Sequence, residues 1–279
     1  MQVFECGRFS LLLNRPKVMA IVNLTPDSFS GDGVGLDLDA ALRRADEALQ
    51  AGADILDLGG ESSRPGAAPV GLQEELDRVL PLVERLAGCS VPLSVDTVKP
   101  GVMRAAVDAG ASLINDINAF REPGAIEAIA KSSVGACVMH MRGEPRTMQA
   151  APHYDNVVVE VRGFLEERVN ALQSAGIGAA RIMIDPGFGF GKTLEHNLVL
   201  FRALGQFAGC GYPVLAGLSR KSMLGAITGR PAPERVAASV AAALMAVQRG
   251  VQIIRVHDVA ATRDAIAVWE AIEGESVGR

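Results

Sequence analysis

The chain has 279 residues, of which 49% are apolar, 21% charged and only 4% aromatic, and its 27 basic and 32 acidic side chains leave a net charge of −5. This composition supplies a sizeable core and excludes a disordered chain, and the acidic balance excludes a whole-chain basic footprint for nucleic acid. The length fits one large α/β barrel or two smaller domains.

Taken in chain order, residues 2–15 come first and predict a small hairpin, with Phe4, Phe9 and Leu11–Leu13 around Gly7. Short aliphatic runs then alternate with stretches of helical period. Val18–Val22 precedes Leu38–Ala51, Asp54–Leu58 precedes Gln73–Leu86, Pro92–Val95 precedes Pro100–Ala109, and Ser112–Asn115 precedes Ala125–Ser132. In the second half Ala136–Met139 precedes Val157–Ala175, Arg181–Ile184 precedes Glu195–Leu204, Val214–Gly217 precedes Glu234–Arg249, and Gln252–Val256 precedes Ala261–Glu273. Eight run-and-helix units call for parallel strands with helical crossovers. Eight in about 250 residues is the arithmetic of a TIM (β/α)8 barrel. No linker or low-complexity tract divides the chain, so residues 1–279 are read as one α/β domain whose hairpin closes the bottom of the barrel.

Most of the strands run into a polar group at their C-terminal edge: Asn23, then Gly59-Gly60-Glu61-Ser62-Ser63-Arg64, Asp96, Asn115, His140 after Met139, Asp185, Ser219-Arg220-Lys221, and Arg255 with His257. One polar strand end is weak, because Asp and Asn also cap helices and turns. A barrel gathers all eight around one mouth. Arg255 and His257, at i and i+2, share one face of their strand. The carboxylates Asp96 and Asp185 with the amide Asn115 suit a flat heterocycle with adjacent N–H donors. The cations Arg64, Lys221 and Arg255, with His257, suit phosphates. The pattern therefore points to a heterocycle carrying a phosphate or pyrophosphate. Asp57, inside its strand, reads as a buried structural acid; Asp27 and Asp116 read as turn caps. His140 reads as structural, His153 and His196 as solvated, and Trp269 as core. Gly187–Thr193, GFGFGKT, imitates a phosphate-binding loop but has Pro186 where the first glycine is required. Its glycines instead suit a loop passing close to a flat ring.

Cys6, Cys89, Cys137 and Cys210 form no CxxC pair, which favours buried, reduced thiols over a metal or dithiol site. MQVFECGRFSLLL lacks the pattern of a secretory signal. Val236 to Val247, the most apolar later stretch, is shorter than the about 20 residues that cross a bilayer. No membrane or nucleic-acid partner is expected, and the protein is expected to be soluble and cytoplasmic.

The segments VNLTPDSFS (22–30) and GGESSRPGA (59–67), with Ser94–Thr97, Ile114–Asp116, Asp185–Gly187, Ser219–Lys221 and Arg255–His257, resemble the dihydropteroate synthase family over essentially the whole chain. The resemblance implies a homodimeric barrel enzyme, an alkyl-group transferase of folate biosynthesis. Such an enzyme condenses 6-hydroxymethyl-7,8-dihydropterin pyrophosphate with p-aminobenzoate, with magnesium assisting and sulfonamides competing. It further implies that Asp96, Asn115, Asp185 and Lys221 bind the pterin, with Met139 and Phe190 packing near the ring. Asn23, Arg255 and His257 would hold the pyrophosphate, and Asn23 would also ligate magnesium. Ser63 and Arg64 would belong to a second active-site loop, and Ser219 would lie near the p-aminobenzoate carboxylate. The catalytic set would be Asp96, Asp185, Lys221 and Arg255, acting in a dissociative, SN1-like substitution. Ser63 stands where many relatives have threonine, and Ser30-Gly31-Asp32-Gly33 displaces the first-loop acid by one position. The alternatives are a methyltetrahydrofolate–corrinoid methyltransferase, which has no pyrophosphate to hold, and a non-catalytic pterin-binding paralogue.

Overall fold

The structure is a computed structural model describing residues 2–25, 37–64 and 66–273; Asp27 and Asp32, singled out above, lie outside the described residues. β1 (Val3–Cys6) and β2 (Phe9–Leu12) form an antiparallel hairpin, turned by Gly7 at φ +59. The expected alternation follows as β3 (Lys17–Asn23), α1 (Leu38–Gln50), β4 (Ile55–Gly59), α2 (Leu72–Leu86), β5 (Leu93–Asp96), α3 (Pro100–Ala109), β6 (Leu113–Asp116), α4 (Ala125–Ala130) and β7 (Gly135–Met139). Next come α5 (Val157–Ser174), β8 (Ile182–Asp185), α6 (Leu194–Arg202), α7 (Leu204–Ala208), β9 (Leu215–Gly217), α8 (Ser222–Thr228), α9 (Val236–Val247), β10 (Ile253–Val256) and α10 (Val259–Glu273). The eight strands β3 to β10 are hydrogen-bonded in parallel in the order β8-β7-β6-β5-β4-β3-β10-β9. The two ends of that order meet at a bridge between Ile184 and Val214, so the sheet closes into a TIM barrel.

Three helical expectations change. The helix expected over Glu195–Leu204 breaks at Ala203 into α6 and α7. The helix expected from Glu234 starts only at Val236, because Pro231 and Pro233 hold the preceding residues in a separate short turn. α8 is additional; it carries Gly225, a poor helix former, in its middle, and Gly229 at φ +70 ends it.

Strand alternation sorts the side chains. Val18, Ala20, Leu56, Leu58, Ile114, Ala136 and Ile254 face the helices and join the main core. Met19, Ile55, Leu113, Cys137, Met183, Leu215 and Ile253 point into the barrel and pack on Phe4 and Cys6 of the hairpin. The hairpin thus plugs the bottom, as expected. Gly135 makes room for it: a Cβ there would fall 2.6 Å from the Phe4 ring. Trp269 is only half-buried at the edge of the core, and of the thiols Cys6 and Cys137 are buried while Cys89 and Cys210 are half-buried. No helix among the described residues is long and apolar enough to cross a membrane.

Candidate active site

Two to four residues beyond the apolar layer, the inward positions turn polar, and they converge at the C-terminal mouth. Arg255 on β10 reaches across the barrel, donating from Nε to Asp57 Oδ2 at 2.6 Å and from its terminal nitrogen to Asp96 Oδ2 at 2.9 Å. Asn115 on β6 donates to the same Asp57 oxygen at 3.3 Å. Asp57 is wholly buried, as expected of a structural acid, yet its partner is a residue of the mouth. The signal available in the sequence was its parity: Asp57 and Gly59 share the inward face of β4. Acids and bases are also not segregated as the residue pattern suggested. In the low dielectric of a closed barrel, a guanidinium requires anionic partners, and β4 and β5 supply them.

The charge balance follows from this burial. Desolvation pushes the Asp96 carboxyl up to about 7, with Arg255 opposing and Asp57 adding to the rise. Burial also raises Asp185, against the pull of Lys221 and of the Gly187 N–H. Lys221 is lowered to about 8 by burial, which outweighs the attraction of Asp185. Burial disfavours the charge on Arg255, but Asp57 and Asp96 outweigh it and keep the guanidinium protonated.

Above this floor lies a cavity of about 450 Å³. Asn23, Ser63, Arg64, Asp96, Phe190, Ser219, Lys221, Arg255 and His257 all line it. Asn115, Met139 and Asp185 lie at the ends of neighbouring strands of the same rim but are not among the lining residues, each at most 5% exposed. Met139 packs with Ile117, Met141 and Met148, and Phe190 rests on that cluster. Asp185 Oδ1 accepts the Gly187 N–H at 2.7 Å, so the acid also shapes the loop that follows it. Lys221 Nζ donates to the Phe188 carbonyl and lies 4.6 Å from the centre of the Phe190 ring, within cation–π reach. Ser219 Oγ joins His257, accepting its backbone N–H at 3.2 Å and meeting Nδ1 at 2.9 Å.

Several supporting contacts were not legible in the sequence. Arg235 donates to the carbonyls of Arg220 at 3.0 Å and Lys221 at 3.3 Å. Arg220 has a positive φ of 56 and a two-pronged pair with Asp258. Glu61 accepts the Val70 N–H at 3.0 Å and pairs with Lys99, which also binds the buried Glu75. These bonds tie down both ends of the segment bearing Ser63 and Arg64. They run between distant elements and leave no short-range pattern. Asp116 caps its turn as expected, accepting from Asn118 at 2.7 Å and Phe120 at 2.6 Å. His140 is buried, His153 is exposed, and His196 is half-buried in a capping box with Thr193.

Residues 19–257 match the model of the family described as pterin binding enzyme. The chain is 51% identical over 260 residues to the dihydropteroate synthase of Haemophilus influenzae, covering 93% of this chain and 94% of that one. The structure of Burkholderia cenocepacia dihydropteroate synthase complexed with 7,8-dihydropteroate superposes with a TM-score of 0.91 at 56% identity, covering 100% and 99% of the two chains. That of Xanthomonas albilineans dihydropteroate synthase with 4-aminobenzoic acid gives 0.90 at 53% identity, covering 97% and 98%.

Proposed function

Because the chain belongs to the pterin-binding enzymes, and within them to the dihydropteroate synthases of folate biosynthesis, we propose that its barrel mouth holds 6-hydroxymethyl-7,8-dihydropterin pyrophosphate and p-aminobenzoate in the roles set out below. The observation that carries this reading is one cavity lined by Asp96, Lys221, Phe190 and Arg255, with the buried Asn115 and Asp185 on strand ends of the same rim. The corrinoid methyltransferase alternative is set aside, since relatives of about half identity over nearly the whole chain are synthases.

The N–H edge of the pterin faces Asp185, Asp96 and Asn115, where a carboxylate can accept paired N–H bonds. Lys221 exchanges its bond to the Phe188 carbonyl for one to an acceptor of the ring. Met139 and Phe190 pack against the ring. Arg255 commits two N–H groups to Asp57 and Asp96; a guanidinium has five, so it retains donors for the pyrophosphate beside His257. Ser63 and Arg64 cover the site from the second loop, and Ser219 faces the carboxylate of p-aminobenzoate.

The substitution is dissociative. The bond between the pterin methylene and the pyrophosphate oxygen breaks first, and its electron pair leaves with pyrophosphate. The cation left on the methylene is delocalised into the ring and favoured by the buried carboxylates. The p-aminobenzoate amine then attacks the methylene and loses a proton to the medium or to pyrophosphate. No protein nucleophile is needed, and excluding water protects the cation from hydrolysis.

Magnesium would be held here by few protein groups: Asn23 lines the cavity, and among the described residues no group of three or more His, Cys, Asp or Glu could hold a metal ion, so it would rely on the Asn23 amide and on the substrate's own phosphates. Magnesium commonly takes one or two protein oxygens, keeps several waters and binds substrate phosphates. When bound, it would offset charge on the departing pyrophosphate. We also propose a cytoplasmic homodimer, to be checked by light scattering.

The direct test mixes the pure protein with the pterin pyrophosphate, p-aminobenzoate and magnesium. Dihydropteroate and pyrophosphate should appear in equal amounts, and a sulfonamide should compete with p-aminobenzoate. Pterin binding without product would leave only a binding protein. A trapped covalent pterin–enzyme adduct would overturn the dissociative scheme.

A further inference from the structure

The loop after β8, Gly187–Gly191, gives each of its carbonyls to a side chain. Gly187 and Phe190 are taken by Lys192 Nζ at 2.8 and 3.1 Å, Phe188 by Lys221, Gly189 by Gln149, and Gly191 by the Tyr154 hydroxyl at 2.8 Å. Lys192 is therefore not the outward lysine of the phosphate-binding loop that GFGFGKT imitates. It is 2% exposed, and its Nζ also meets His140 Nδ1 at 2.9 Å and the His140 carbonyl at 3.4 Å. A ring nitrogen and three carbonyls thus surround the buried Lys192 Nζ, whose pKa burial and then Lys221 pull well below the ordinary lysine range against Asp185; a buried polar group is an expensive arrangement for a site that an apolar side chain could fill.

The loop lies hard against the end of β7. A Cβ on Gly187, at φ +69, would stand 1.9 Å from the His140 carbonyl oxygen, and one on Gly191, at φ +63, 2.2 Å from that of Arg142. Converging carbonyl dipoles repel one another unless a hydrogen-bond donor lies between them. Burial and the nearby lysine hold His140 down to about 2, so its imidazole is neutral and can accept from the Lys192 Nζ. We propose that Lys192 is a positioning residue: its Nζ pins the Gly187–Phe190 loop to the end of β7, and so holds the Phe188 carbonyl and the Phe190 ring where Lys221 meets them. The loop geometry stands independently of the ligand; the consequence for pterin binding rests on the function proposed above.

The test compares the wild type with Lys192→Met. Without ligand, amide hydrogen exchange across 187–191 should quicken by about tenfold or more in the variant, while exchange in β3 and β4 stays unchanged. The KM for the pterin pyrophosphate should rise by about tenfold or more, with that for p-aminobenzoate changing by less than about twofold. Unchanged loop exchange overturns the inference; so does a fall in melting temperature with both KM values intact, the mark of a merely structural lysine. Should the variant not fold, crystals of the wild type soaked in the pterin pyrophosphate decide. Lys221 should leave the Phe188 carbonyl while Lys192 keeps those of Gly187 and Phe190, and release of these by Lys192 overturns the inference. Wild-type protein that binds no pterin would refute the proposed function, while the exchange comparison would still judge Lys192.

Discussion

The Asp57 carboxylate accepts the Nε–H of Arg255 at 2.6 Å, joining β4 to β10 across the floor of the barrel mouth. The pair aims the remaining guanidinium N–H groups, so Asp57 should matter for turnover although it reaches no substrate. Asp57→Asn keeps the shape and loses the charge. A charge-assisted bond contributes about 1.5–3 kcal/mol, so kcat/KM should fall roughly 10- to 100-fold with the fold intact. Asp57→Ala, which strands part of a buried cation, should in addition cost about 3–5 kcal/mol in urea unfolding. Wild-type kinetics in Asp57→Asn would remove this residue from the site.

The pH dependence follows from two opposed shifts. Asp96 sits near 7, so protonation below that value removes its charge, and kcat/KM should fall on the acid side. Lys221 sits near 8, so loss of its proton above that value should produce the alkaline fall. The two limbs are properties of the interacting set, and the profile should be a narrow bell between them. Lys221→Arg replaces a titrating ammonium with a guanidinium that stays charged. Its activity should be lower, but its alkaline limb should vanish up to at least about pH 9. An unmoved alkaline limb would assign it to another group.

Asp185 has two tasks, facing the pterin edge and accepting the Gly187 N–H at 2.7 Å. Asp185→Asn preserves one carbonyl oxygen for the second task. The variant should therefore melt within a few degrees of the wild type yet lose about 100-fold or more in kcat/KM for the pterin, since a neutral amide cannot accept two N–H bonds as a carboxylate does. Calorimetry and steady-state kinetics on one preparation separate the two effects.

The plug offers the opposite signature. Phe4 is wholly buried against Met19, Ile55 and Cys137, at the end of the barrel away from the mouth. Phe4→Ala should lower stability by about 3–5 kcal/mol through lost burial and the cavity left behind. Both KM values and kcat should stay near wild type at temperatures where the variant is folded. A selective loss of pterin affinity would show that the bottom layer communicates with the site.

The eightfold strand-and-helix order and the polar strand ends were legible because they are local. Alternation along Met19, Ile21 and Asn23, or Ile253, Arg255 and His257, decides which way each side chain points as soon as the segment is a strand. Resemblance to a family then attached a chemistry to those ends. The break at Ala203 was not legible, since alanine favours helix and nothing local marks it, and α8 was hidden by Gly225, a poor helix former, in its middle. The same holds for Lys192: the spacing around Pro186 excluded a phosphate-binding loop but could not say which way the lysine turned.

What the chain carries by itself is therefore the type of fold and the chemical groups that face its mouth, because both depend on neighbours a few residues apart. Tertiary structure alone decided who pairs with whom. Asp57 lies 198 residues from Arg255, and Lys192 lies 52 from His140. Only closure of the barrel brings such groups within reach, and only its low dielectric obliges each buried charge to take the partners found there.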